Sequence, residues 1–171
     1  MVAIGIMVSL LSISLGYSRR GGEQIILFKE RARVMQEIAR ARSLTATLFK
    51  EEGEKVCGYG IYIVDQRTFT VFKDLPTTND ECNGNNKLFG PVEASEELDT
   101  FTLDPQVEIR QESTDTTILF LPPKPDLYFD GNIAAAGNSE REITLELIST
   151  GDTLSVSVNQ LGQISSLSHE Q

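Results

Sequence analysis

The chain has no tryptophan, one histidine and two cysteines in 171 residues, and each scarcity excludes a kind of chemistry. The single histidine, His169, stands two residues from the C-terminus, where chains commonly fray. A hydrolase built on a Ser-His or Cys-His pair therefore has no obvious general base. Two thiols without a histidine beside them fall short of the four ligands of a structural zinc site. No catalytic residue, cofactor or metal is expected, and the chain is not read as an enzyme. Aromatic residues make up 7% of the chain and hydrophobic residues 40%, enough for the modest core of one domain plus an accessory element.

Basic charge is also scarce, and it is unevenly placed. The net charge is −10. Residues 1–50 hold eight Lys/Arg against three Glu, a balance of +5, and the remainder holds seven bases against 22 acids, a balance of −15. An acidic body repels phosphates, so nucleic acid is not an expected partner.

Charge is missing altogether from residues 1–17, MVAIGIMVSLLSISLGY. A bilayer-crossing helix needs about 20 apolar residues, so this run is a little short. A cleaved secretory signal carries a basic stretch before its apolar run and small residues at its cleavage site. Here Arg19-Arg20 follow the run and Leu15-Gly16-Tyr17-Ser18 is a poor cleavage site. Membrane insertion is the expectation, with core burial or an unusual signal as the alternatives. By the positive-inside tendency the basic flank would hold the C-terminal side in the cytoplasm.

After a break at Gly21-Gly22, an amphipathic helix is expected from Glu23 to about Glu52, ended by a left-handed cap at Gly53. Leu27, Val34, Ile38, Ala41 and Leu48 form one apolar stripe for packing on the remainder of the chain. Glu30, Arg31, Arg33, Glu37, Arg40 and Arg42 fall on the other faces, with Glu37 in reach of Arg33 and Arg40. This Arg-rich side reads as a solvated surface with local ion pairs, as a face packing against other helices of opposite charge or the chain's own acidic domain, or as both. From Val56 the period changes to two. Residues 56–64 and 68–73 make a hairpin around Asp65-Gln66-Arg67. Further short strands are expected at 100–103, 107–111, 116–121, 127–130, 142–149, 153–158 and 163–167. In the second-to-last of these, Leu154, Val156 and Val158 alternate with Ser155 and Ser157. The fold class is α+β: a helical stalk at 1–53, then an all-antiparallel β-sheet or β-sandwich head at 54–171.

This order resembles a type IV pilin-like protein, specifically a minor pilin or pseudopilin of the GspH type. Met1-Val2-Ala3-Ile4-Gly5-Ile6-Met7 is similar to the stretch that follows the family's Phe-Thr-Leu-Ile-Glu start. Leu10-Leu11-Ser12-Ile13-Ser14-Leu15 with Tyr17 matches where members leave the membrane, and RARVMQEIARARSLTAT (31–47) the helix entering the head. The tail at 143–148, 155–159 and 162–164 fits at the level of pattern. The family's leader, cleavage site and adjoining Glu do not precede this run, as if the chain starts roughly six residues late.

The resemblance implies a structural subunit of a pilus or secretion pseudopilus, stored in the inner membrane as a single-pass protein with its head outside. The family's basic leader would hold the other end in the cytoplasm, which outweighs the Arg19-Arg20 signal. Its partners would be other pilin or pseudopilin subunits, the inner-membrane assembly machinery and lipid. Gly5, Ser9, Ser12, Ser14 and Gly16 would permit close helix approach beside Leu10, Leu11 and Ile13. Gly16 and Gly21-Gly22 would be places for local unwinding when the helix is extracted. An exported head would also oxidise Cys57 and Cys82, closing a loop of about 26 residues worth on the order of 3 kcal/mol. Two unpaired thiols are the alternative, because spacing does not fix their distance. The Asn-rich stretch 79–86 has the oxygen density of a calcium loop without its regular acidic spacing, and reads as an ordinary polar loop. Asp126 and Asp130 read as turn residues rather than an acid–base pair. A second reading of the whole is a membrane-anchored β-domain binding protein that forms no fibre.

Overall fold

The computed structural model describes residues 2–47, 55–76, 82, 96–114, 116–122, 126–130, 132–133 and 140–167, and of 2–20, 126, 132–133 and 167 only the backbone. The first proline of the chain is Pro76, so nothing in its first third removes a helical hydrogen bond. One helix, α1, accordingly runs Val2–Thr47, 46 residues, a length of about 69 Å at the α-helical rise. It passes through Gly21-Gly22 without interruption, so the break expected there is absent. Two glycines cost about 1 kcal/mol each relative to alanine, too little to stop a helix already nucleated on both sides. The expected end near Glu52 and the cap at Gly53 lie outside the described residues.

Among the described residues ten strands follow, all paired antiparallel in two sheets. β1 (Gly58–Ile63), β2 (Thr68–Asp74), β3 (Glu97–Thr102), β5 (Thr117–Leu121), β6 (Asp126–Phe129) and β7 (Asn132–Ile133) make the first, in the order β3-β2-β1-β5-β6-β7. β4 (Val107–Ile109), β8 (Glu140–Leu147), β9 (Thr153–Asn159) and β10 (Ile164–Leu167) make the second, in the order β10-β9-β8-β4. The fold is therefore α+β, with one N-terminal helix packed on antiparallel sheets.

Local chemistry sets the turns. Asp65 Oδ1 accepts from the amides of Arg67 and Thr68, both at 2.7 Å, which closes the β1–β2 hairpin. Asn159 Oδ1 does the same for Leu161 and Gln163 at 2.9 and 3.0 Å between β9 and β10. Gly162 in that turn has φ +68, a conformation glycine adopts without penalty. The two sheets are joined beside the first hairpin, where Ile109 N of β4 donates to Gln66 O at 2.6 Å; Leu103 N to Arg67 O at 2.8 Å extends the β2–β3 pairing of the first sheet. A three-residue 3₁₀ turn, Gln111–Ser113, then leads from β4 back to the first sheet.

The strands differ from the sequence expectation mainly at their edges. β3 begins at Glu97 rather than Thr100, and β8 spans Glu140–Leu147 rather than 142–149. β7 occupies residues read as part of a turn. Asp130, with φ 49, follows β6, and Phe129 pairs with Asn132 of β7.

One core is enclosed by α1 and the inner faces of both sheets. It joins Leu27, Val34, Ile38 and Ala41 of α1 to Ile61, Val71, Ile118 and Phe120 of the first sheet and Ile143, Leu145, Val156 and Val158 of the second. The outer face of the first sheet carries a smaller cluster of Tyr62, Phe72 and Leu119. Gly60 lies within it because nothing larger fits: a Cβ there would stand 2.5 Å from the Ile118 carbonyl and 2.8 Å from the Phe72 ring. On the outer face of the second sheet the buried Ser155 and Ser157 pair through their hydroxyls with Thr144 at 3.1 Å and Ser165 at 2.7 Å.

Candidate assembly surface

The surfaces that matter are those of α1, because a single helix carries both the attachment to the head and everything that projects beyond it. Leu27, Val34, Ile38 and Ala41 are all at most 2% exposed and lie in the common core, each large apolar side chain contributing about 1.5–3 kcal/mol by leaving water. Leu48 lies outside the described residues. At the end of this face the Thr45 hydroxyl sits 3.0 Å from the Ala41 carbonyl and 3.2 Å from that of Phe120. It also accepts from the Tyr59 amide at 3.3 Å, which ties α1 to β1 and β5 together.

The charged residues of α1 are placed differently from expectation. Glu30 and Glu37, assigned to the outer faces, are 2% and 7% exposed. The head wraps more of the helix than one stripe requires, since both sheets contact it. Glu30 has Arg33 at 3.7 Å and Glu37 has Arg40 at 3.2 Å, both three residues on. The pairing expected between Glu37 and Arg33 is replaced by these two repeats of the same unit. Each arginine then reaches the edge strand β3. Arg33 donates to the Thr102 carbonyl at 3.0 Å and lies over the Phe101 ring at 5.3 Å. Arg40 meets Asp99 at 2.7 Å. The Asp99 hydrogen bond, and secondarily that of Glu37, raises the Arg40 pKa above its ordinary value, so its charge is permanent. Arg42 donates to the Gly162 carbonyl at 3.0 Å. Of the two readings of the Arg-rich side, docking on the chain's own head holds for Arg33, Arg40 and Arg42.

Sequence reasoning missed this carboxylate row, although a signal exists. Glu23, Glu30 and Glu37 recur every seven residues, in step with Leu27, Val34 and Ala41. Glu23 completes it by accepting from the Ser149 hydroxyl at 3.2 Å in the β8–β9 turn.

The opposite side of α1 is bare of head. Ile25 is 68% and Phe28 50% exposed, and Arg31 lies over the Phe28 ring at 5.1 Å. Farther toward the N-terminus, Gly5, Ser9, Leu10, Leu11, Ser12, Ile13, Ser14 and Gly16 all fall within the α1 backbone, and their side chains lie outside the described residues. Among the described residues no helix is long and apolar enough to cross a membrane.

Cys57 and Cys82 are joined in a disulfide, their Cα atoms 5.3 Å apart. Cys57 is buried just before β1, its amide donating to Asp74 O at 2.7 Å. The bond therefore anchors residue 82 to the start of the first sheet. The rest of the Asn-rich stretch 79–86, like His169, lies outside the described residues. Among the described residues no cluster of three or more His, Cys, Asp or Glu is arranged to hold a metal. Asp130 accepts from the Thr117 amide at 2.9 Å and forms an ion pair with Arg141, which also lies 5.9 Å from the Phe129 ring centre. Its role is to hold the β6–β7 turn against β5 and β8. An open depression of about 320 Å³ beside the first hairpin is lined by Val64, Asp65, Gln66, Gln111 and Thr114. Asp65 is already committed there to the turn amides. Comparison of the chain with protein-family models, curated proteins and solved structures finds no match.

Proposed function

We propose that this chain is a structural and assembly subunit, a low-copy pilin or pseudopilin, held in the inner membrane by its apolar N-terminal helix and moved from there into a fibre. The observation that carries the reading is the division of α1. Its C-terminal half is fastened to a β head through a core stripe and three arginines, while the uncharged run 1–17 lies at the far end of the same uninterrupted helix. A helix built this way has lipid as one solvent for its apolar end and other such helices as the alternative. The rigid join to the head then passes any movement of the helix to the head. The disulfide suits a head that folds in an oxidising compartment.

The test is the intact mass and N-terminal sequence of the protein taken from its native membrane. Residues ahead of Met1 in the mature chain, with a methylated N-terminal amine, support the fibre subunit. An unmethylated chain beginning at Met1 refutes processing of this kind and leaves an anchored β domain without a fibre.

A further inference from the structure

Three exposed large apolar residues gather at one end of the head: Ile25 and Phe28 on α1, and Ile148 just past β8. The 3.2 Å contact of the Ser149 hydroxyl with Glu23 fixes the β8–β9 turn beside the turn of α1 that carries Ile25. That contact lies on the head side of the helix, and Ile25 and Phe28 lie on the opposite side. Exposed apolar residues therefore flank α1 on both sides at one level along its axis. The adjoining rim of the head, Pro105 and Gln106, is exposed and uncharged, with Ile148 N donating to Gln106 O at 3.0 Å. Lys29 is exposed next to Phe28 and Arg31 lies over the Phe28 ring, whereas Glu23 and Glu30 are turned to the head. Against these two cations stand Asp104 and Asp152 in the rim, so this level carries little net charge in an otherwise strongly acidic head.

We infer that this end of the head seats on the headgroup layer of a phospholipid bilayer, with Ile25, Phe28 and Ile148 dipping into it and Lys29 and Arg31 against the lipid phosphates. The inference rests on the membrane half of the proposed function and not on the fibre. Arg19-Arg20 close the uncharged run, and basic residues at a helix end mark the edge of the hydrocarbon. Ile25 stands about 7.5 Å past Arg20 along the helix, and the headgroup layer is about 5–7 Å deep on each side. Helical side chains lean toward the N-terminus, here toward the bilayer, which brings Phe28, Lys29 and Arg31 nearer to it. Aromatic and aliphatic groups beside long cations are the mixture that settles at this depth. Geometry selects lipid over a protein partner. A partner laid along α1 covers one flank, whereas a plane crossing the helix axis meets Ile148 on one flank and Ile25 and Phe28 on the other.

The chain has no tryptophan, so a single introduced one reports its own depth. The full chain with its disulfide intact is reconstituted into phosphatidylcholine/phosphatidylglycerol vesicles as Leu11→Trp, Phe28→Trp, Ile148→Trp or Leu161→Trp. Fluorescence is compared with and without lipid brominated near the headgroup end of its acyl chains. Leu161 is exposed too, but its neighbour Gly162 meets Arg42, about 25 Å farther along α1 than Ile25. The expected result is quenching in Leu11→Trp, Phe28→Trp and Ile148→Trp and none in Leu161→Trp. Adding Lys29→Glu/Arg31→Glu should at least halve the quenching of Phe28→Trp, and quenching that ignores this change overturns the role given to the two cations. Quenching of Leu11→Trp with Phe28→Trp and Ile148→Trp as bright as Leu161→Trp overturns the seating and leaves the membrane anchor standing. Quenching of Phe28→Trp without Ile148→Trp also overturns it, since lipid then meets one flank of the helix alone. An unquenched Leu11→Trp overturns the anchor and the seating together.

Discussion

Replacing Arg40 by alanine separates two contributions that geometry alone leaves mixed. Arg40 joins Asp99 at 2.7 Å and Glu37 at 3.2 Å. The arginine and Asp99 side chains are 44% and 45% exposed, whereas Glu37 is 9% exposed. An ion pair as open as Arg40–Asp99 is worth about 0.2–1 kcal/mol. Truncating Arg40 also strands the Glu37 carboxylate in the interface, and orphaning such a group costs about 1–3 kcal/mol. Arg40→Ala should therefore destabilise by about 2–3 kcal/mol and Asp99→Ala by about 0.5. At about 2–4 °C per kcal/mol for a chain of this size, Tm falls by about 5–10 °C in the first variant and 1–2 °C in the second. The assay is thermal unfolding followed by circular dichroism, in low and in 1 M salt. Salt should erase most of the Asp99 effect and little of the Arg40 effect, because screening acts on exposed charges. Removing the stranded charge with Glu37→Met in the Arg40→Ala background should recover at least half the loss. Equal losses for Arg40→Ala and Asp99→Ala, or a further loss on adding Glu37→Met, would refute the reasoning.

Three other perturbations test the remaining joints. Cys57→Ser with Cys82→Ser should lower stability by on the order of 3 kcal/mol, read as a shifted urea midpoint that a reducing agent reproduces in the native chain. Gly60→Val places side-chain atoms inside the Ile118 carbonyl and Phe72 ring contacts and should cost more than about 3 kcal/mol, seen as loss of near-ultraviolet dichroism; a native-like variant would mean that β1 shifts freely. A Cβ at Gly21 or Gly22 meets nothing within 4 Å, so Gly21→Ala/Gly22→Ala should stabilise the helix by about 0.5–1 kcal/mol per site and raise the 222 nm signal. A drop in that signal would show that the glycines serve as a hinge.

The parts of the fold that sequence reveals are those whose own side chains carry the pattern. Leu154, Val156 and Val158 alternate because β9 lies inside its sheet, between β8 and β10, with one face on the core. β3 shows no such alternation, and its true start at Glu97 is set by pairing with β2, where Phe72 faces Glu97. An edge strand with mostly exposed side chains has no reason to display a period. The charged residues of α1 are harder to read for a related reason. A single apolar stripe accounts for Leu27, Val34, Ile38 and Ala41, but two sheets embrace the helix and bury Glu30 and Glu37 at its margin. A carboxylate survives there because an arginine three residues on both pairs with it and reaches past it to β3. Composition alone cannot distinguish such a residue from a solvated one, since the β3 groups that hold its arginine lie about sixty to seventy residues away in the chain. What does distinguish it is its step with the core stripe: Glu23, Glu30 and Glu37 stay on the head-facing side, and Ile25, Phe28 and Ala32 stay off it.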